Sequence, residues 1–175
     1  MAGKKIVRVA LLGAESTGKS TLAAALAEHY GTVWVPEYLR EFVETTGRTP
    51  QEHEQFLIAS TQVAYENAAA RKACAYLFCD TTPLMTALYS QFYFGRVDVP
   101  LQALADEHAY DFTIVTAPSG PWMPDGLQRE SEAVRDLIHA QLLDVLNARD
   151  VRYLLVEGDV DQRIRQINDY LPACD

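Results

Sequence analysis

The run Gly13-Ala14-Glu15-Ser16-Thr17-Gly18-Lys19-Ser20 constrains this chain more than any other segment, because it fits G-x-x-x-x-G-K-[ST] at every defined position. The apolar run Ile6-Val7-Arg8-Val9-Ala10-Leu11-Leu12 precedes it, and the alanine- and leucine-rich stretch Thr21 to His29 follows. That order predicts a strand, a glycine loop and a helix, the setting in which such a loop holds phosphate. Gly13 and Gly18 let backbone N–H groups turn toward an anion, and the helix start adds the positive end of its dipole. Glu15, Ser16, Thr17 and Thr21 fall within or beside the same cradle. Lys19 is placed to reach the β- and γ-phosphates, and the Ser20 hydroxyl to ligate Mg²⁺. The segment points to a nucleoside triphosphate, with ATP and Mg²⁺ as the expected pair.

The other apolar runs extend the alternation. Thr32-Val33-Trp34-Val35 reads as a second strand ended by Pro36. A helical region follows, with a further start at Thr49-Pro50-Gln51-Glu52, where Thr49 caps, Pro50 suits the first turn and Glu52 closes a capping box. That helix is expected to run to about Lys72. Ala75 to Cys79, Phe112 to Val115 and Val151 to Val156 read as strands three, four and five. Strands alternating with helices predict an α/β fold of the P-loop NTPase type, a central parallel five-stranded sheet with helices on both faces. A chain of 175 residues that is 49% apolar can fill one core, so a single domain over 1–175 is expected. The stretch rich in Pro and Gly, Ala117 to Gly126, opens a lid-like segment reaching about residue 135.

Charge and cysteine content exclude several classes. A net charge of -9 with scattered Lys and Arg argues against a protein that wraps nucleic acid. No run is long and apolar enough to span a bilayer. The three cysteines, Cys74, Cys79 and Cys174, form no C-x-x-C pair and have no histidine at metal-ligand spacing, so a reducing, cytoplasmic setting is expected. Nothing in the sequence specifies an oligomeric state.

In open parallel sheets, ligands collect beyond the carboxyl ends of the strands. Glu37, Asp80 and Glu157 stand at the ends of strands two, three and five. Asp80 has the form of the second metal-site motif of enzymes with such a loop, with a helix N-cap for Thr81-Thr82-Pro83 as its structural alternative. Glu37, just past Pro36, is the expected base toward the acceptor hydroxyl, with Asp80 as the other choice. Glu157 and Asp159 flank Gly158 in a last loop suited to the nucleotide base through its backbone. Tyr89 and Tyr93, four apart on a helix, are placed to flank a flat ring. Trp122 lies in the proline-stiffened run Pro121-Trp122-Met123-Pro124, and Arg129 and Arg135 follow where a lid arginine could reach a transferring phosphoryl group.

Taken together, these segments resemble the nicotinamide riboside kinase domain of the bacterial multifunctional NAD biosynthesis regulator. The likeness runs over nearly the whole chain. It rests on the phosphate loop with Glu15-Ser16, on Val35-Pro36-Glu37-Tyr38-Leu39-Arg40-Glu41, and on Cys79-Asp80-Thr81-Thr82 with Tyr89-Ser90 and Tyr93-Phe94-Gly95. It continues through Pro121-Trp122-Met123-Pro124-Asp125-Gly126 and Glu157-Gly158-Asp159. The resemblance implies transfer of the γ-phosphoryl of ATP to the 5′-hydroxyl of nicotinamide riboside, giving nicotinamide mononucleotide. Glu37, Arg40, Asp80, Thr82, Tyr89, Tyr93 and Trp122 would then face the riboside. Thr82 stands where many relatives carry an acidic residue, and Ala117 to Gly120 lacks the acidic residue expected before Pro121. His29, His53, His108 and His139 form no H-x-G-H motif, so adenylyl transfer is not expected. A deoxynucleoside or other small-metabolite kinase, and an ATP-binding regulatory module without an acceptor, remain the alternatives.

Overall fold

The computed structural model describes residues 5–124 and 131–173. Five parallel strands, β1 (Val7–Leu12), β2 (Val33–Val35), β3 (Tyr76–Asp80), β4 (Phe112–Thr116) and β5 (Leu154–Val156), lie in the order β2-β3-β1-β4-β5. The connections carry α1 (Lys19–Tyr30), α2 (Tyr38–Thr46), α3 (Gln55–Ala70), α4 (Pro83–Phe94), α5 (Val99–Glu107) and α6 (Glu132–Ala148), and α7 (Val160–Tyr170) follows β5. This is the α/β P-loop NTPase architecture that the motif order implies. No helix among the described residues is long and apolar enough to cross a membrane.

Alternation along β1 explains the layers. Val9 and Leu11 pack against Leu22 and Leu26 of α1 and Ile167 of α7. Ala10 and Leu12 face the other way, onto Leu84 and Met85 of α4 and Ile138, Leu142 and Leu146 of α6. A strand buried on both faces needs apolar residues at successive positions, which is why β1 from Val9 to Leu12 and β3 from Tyr76 to Cys79 read as continuous apolar runs. β1 sits at the centre of the sheet, between β3 and β4, so the loop leaving it emerges where both neighbours also end.

Two boundaries differ from the sequence reading. β5 is three residues, because only Leu154–Val156 finds partners, the last three residues of β4. The helix expected to start at Thr49 starts later, through a 3₁₀ turn at Glu52–Glu54. Gln51 is the cap, its N–H donating to Glu54 Oε2 at 2.8 Å, and Arg48 forks onto the same carboxylate at 2.7 and 2.8 Å. Glu52 instead pairs with Arg96.

One buried carboxyl gives the fold a pH dependence. Glu66 of α3 is buried with the Tyr110 hydroxyl 2.9 Å from both carboxylate oxygens. Burial pushes its pKa up to about 7, against the lowering effect of Tyr110. A folded pKa above the unfolded value contributes stability that is present below the unfolded pKa and lost as pH rises through about 7. The parent should therefore lose about 2–3 kcal/mol from this group between about pH 5 and pH 8. Glu66→Gln should remove that fall, measured as a flatter dependence of Tm on pH. An unchanged slope would place the titrating group elsewhere.

Candidate active site

The phosphate loop is built around two close approaches. A Cβ at Gly13 would lie 2.2 Å from Thr116 Oγ1 and 2.8 Å from Thr17 Oγ1, so only glycine lets β1 turn beside the end of β4. The Thr17 hydroxyl occupies that space, donating to the Ala14 carbonyl at 2.7 Å and lying 2.7 Å from Thr116 Oγ1. Thr17 thus spends its side chain on the loop's own shape and faces the cradle only through its backbone. Lys19 Nζ crosses the loop to the Ala14 carbonyl at 3.0 Å. Ser16 adopts a left-handed φ of 56° and donates its hydroxyl to the Met123 carbonyl at 2.5 Å. Glu15 is buried, and its N–H donates to the Tyr89 hydroxyl at 3.2 Å. Thr21 is exposed on α1.

Asp80 ends β3 directly beside this loop. It is 0% exposed, and its Oδ2 accepts the Ser20 hydroxyl at 2.5 Å. Its Oδ1 is buried without a hydrogen-bond partner among the described residues. The alternative role as a helix cap falls away, because Thr82 occupies the N-cap of α4, with Pro83 in the first turn. Thr81 between them holds a left-handed φ of 72° and ties back to β1, its N–H donating to the Leu11 carbonyl at 2.9 Å. Such a backbone is strained for threonine and is held by its surroundings, a condition that clusters at functional sites. Among the described residues no three His, Cys, Asp or Glu side chains gather as a metal cage. Mg²⁺ takes one or two protein oxygens and completes its shell with phosphate oxygens and water. Asp80 Oδ1 and the Ser20 hydroxyl are the oxygens at this end of the loop that would hold such an ion.

The turn carrying Glu37 hangs from a residue that the sequence reading missed. Gln62 of α3 is buried, accepts the Tyr38 N–H at 2.7 Å and donates to the carbonyls of Pro36 at 3.2 Å and Asp80 at 3.5 Å. One amide therefore fixes the turn carrying Glu37 against the strand end carrying Asp80. Glu37 is half-buried at the start of α2, and Arg40 is exposed one turn on. The signal for Gln62 was available: Ala59, Gln62 and Glu66 share the buried face of α3, and a polar residue on an apolar stripe needs an assigned partner.

Other expectations change. Tyr89 and Tyr93 stack on each other, centroids 6.0 Å apart at 15°, so they do not flank a ring between them. Thr82 Oγ1 and Trp122 Nε1 are both buried without a partner among the described residues. Arg135 is buried and holds the Gly120 carbonyl at 3.1 Å, which fixes it as a support of the 117–124 segment rather than a swinging group. Arg129 lies outside the described residues. Asp159 caps α7 through the Gln162 N–H at 2.8 Å, and the Glu157 backbone N–H and carbonyl both meet the Gln166 amide, at 3.2 and 2.8 Å. Those groups are committed within the protein, so a base contact there requires Gln166 to yield.

Residues 8–163 match the family described as AAA domain, which spans the phosphate loop, Asp80 and the start of α7. The chain belongs to this AAA-domain family. It is 32% identical over 161 residues to the trifunctional NAD biosynthesis/regulator protein NadR of Salmonella typhimurium, covering 89% of this chain and 39% of that protein. The chain thus spans well under half the length of that curated relative. A crystal structure of NadR protein in complex with NR matches with a TM-score of 0.77 at 22% identity, over 94% of this chain and 51% of that one. Deoxyadenosine kinase from M. mycoides matches with a TM-score of 0.63 at 13% identity, over 94% and 98%. These two likenesses, both under 25% identical, concern the fold alone.

Proposed function

We propose that this protein transfers the γ-phosphoryl group of ATP to the 5′-hydroxyl of nicotinamide riboside, giving nicotinamide mononucleotide and ADP. The observation that carries the reading is the Ser20–Asp80 contact with its orphaned carboxylate oxygen, set against a complete phosphate loop. The similarity to NadR supports the acceptor.

In this reading residues 1–175 act as one kinase domain, with 117–135 as its lid. Backbone N–H groups of the loop cradle the phosphates, and Lys19 leaves the Ala14 carbonyl for the β- and γ-oxygens. Ser20 and Asp80 would hold Mg²⁺, which would supply positive charge against the phosphate oxygens. Glu37 takes the proton of the attacking 5′-hydroxyl, and Arg129 joins from the lid. Thr82 and Arg40 serve the ribose hydroxyls, and Trp122 lies over the cationic pyridinium ring, since cation–π contact is worth about 0.5–2 kcal/mol. Tyr89 serves the phosphate loop through Glu15 as well as the acceptor side.

A side-by-side kinase assay tests this. Nicotinamide riboside should show kcat/KM about tenfold or more above adenosine, thymidine and deoxycytidine. Trp122→Ala should raise KM for the riboside about 3- to 30-fold and leave KM for ATP near the parent value. Preference for a deoxynucleoside would make the protein a deoxynucleoside kinase, and turnover of no acceptor would make it an ATP-binding regulatory module.

A further inference from the structure

The strongest unexplained group in the molecule is the Arg163 side chain. It lies in the first turn of α7, 5% exposed, and no carboxylate among the described residues pairs with it. Its Nη1 donates to the Thr17 carbonyl at 2.5 Å. Its Nη2 reaches the Ala117 carbonyl at 3.3 Å and Ser119 Oγ at 3.1 Å, while Nε is buried without a partner. A Cβ at Gly18 would sit 3.1 Å from Nη1, so the guanidinium lies directly on the phosphate loop. Burial without an anion depresses its pKa.

Two physical consequences follow from these contacts. The C=O and N–H of a trans peptide point in opposite directions. A guanidinium holding the Thr17 carbonyl therefore aims the Gly18 N–H to the far side of that peptide. The same cation also grips residues 117 and 119, where the chain leaves β4 for the segment whose Met123 carbonyl takes the Ser16 hydroxyl. An unpaired buried cation is costly in the free protein and is relieved when an anion arrives nearby.

We propose that Arg163 is a positioning residue for nucleotide binding, fixing the Thr17–Gly18 peptide and the root of the 117–124 segment in one grip and supplying charge that the incoming triphosphate neutralises. The inference rests on the reading of the loop as a nucleotide site, and not on the identity of the acceptor.

The test compares the full chain with Arg163→Met, which keeps the stem and removes charge and donors, Arg163→Lys, which keeps the charge, and Ser119→Ala, at an exposed position where folding is not at risk. Binding of a fluorescent ATP analogue with Mg²⁺ is read together with Tm, with and without ATP. For Arg163→Met, affinity should fall about tenfold or more while Tm of the free protein holds or rises, and the ATP-induced rise in Tm should shrink. Arg163→Lys should recover part of the affinity, and Ser119→Ala should lose about threefold. A merely structural arginine would instead lower Tm of the free protein and leave the affinity of the folded fraction unchanged, which would overturn the proposal. If Arg163→Met and Arg163→Lys do not fold, unaltered affinity in Ser119→Ala overturns it. Failure of the parent itself to bind the analogue would overturn the nucleotide reading and this proposal with it.

Discussion

Lys19→Ala is expected to lower kcat for phosphoryl transfer by about 10²-fold or more while the fold survives. The ammonium already spans the phosphate loop to the Ala14 carbonyl at 3.0 Å, so it needs little reorganisation to meet phosphate oxygens. It is the loop's only lysine, and no other described side chain takes its place against the β- and γ-phosphates in this reading. Position 19 opens α1, where alanine is the most favourable helix residue, so stability should change little. Steady-state rates alongside thermal unfolding measure both. Near-parent turnover from a folded variant would sink the assignment of the loop.

The second large effect separates the two carboxylates. Asp80→Asn keeps an oxygen for the Ser20 hydroxyl but turns an amide toward the position assigned to Mg²⁺. Binding of ATP with Mg²⁺ should weaken about 10- to 100-fold, and excess Mg²⁺ should recover part of it. Glu37→Gln should behave differently, keeping ATP affinity within about twofold and losing about 10²-fold in kcat, because the amide cannot accept the proton. If Glu37→Gln retains full kcat, Asp80 becomes the base. Titration of each variant with ATP and Mg²⁺, followed by steady-state assay, distinguishes these outcomes.

The phosphate loop, the parallel sheet and Asp80 were legible because each follows from local rules: a spaced motif, apolar runs and a carboxylate at a strand end. What stayed hidden depends on contacts far apart in sequence. Arg163 and Gln166 look like the solvated face of an amphipathic helix until the loops at 17, 117 and 157 come to rest against them. Arg135 looks mobile at a helix start, but the chain at Gly120 folds back over it. Tyr89 and Tyr93 were correctly placed on one face, yet spacing alone does not say whether two rings hold a guest or each other. The cap at Gln51 moved because Arg48 secures Glu54, a competition between neighbours that a motif does not weigh.

Gln62 and Arg163 reach the site from opposite sides of the sheet. α3 packs through Ala69 and Ala70 on the face of Leu77 and Cys79, whereas α7 packs through Ile167 on the face of Tyr76 and Phe78. The turn carrying Glu37 and the phosphate loop are therefore supported from opposite faces, and the Ser20–Asp80 contact is one place where they meet. A chain built this way can revise α2 and α3 to accept a different molecule while its nucleotide machinery stays as it was.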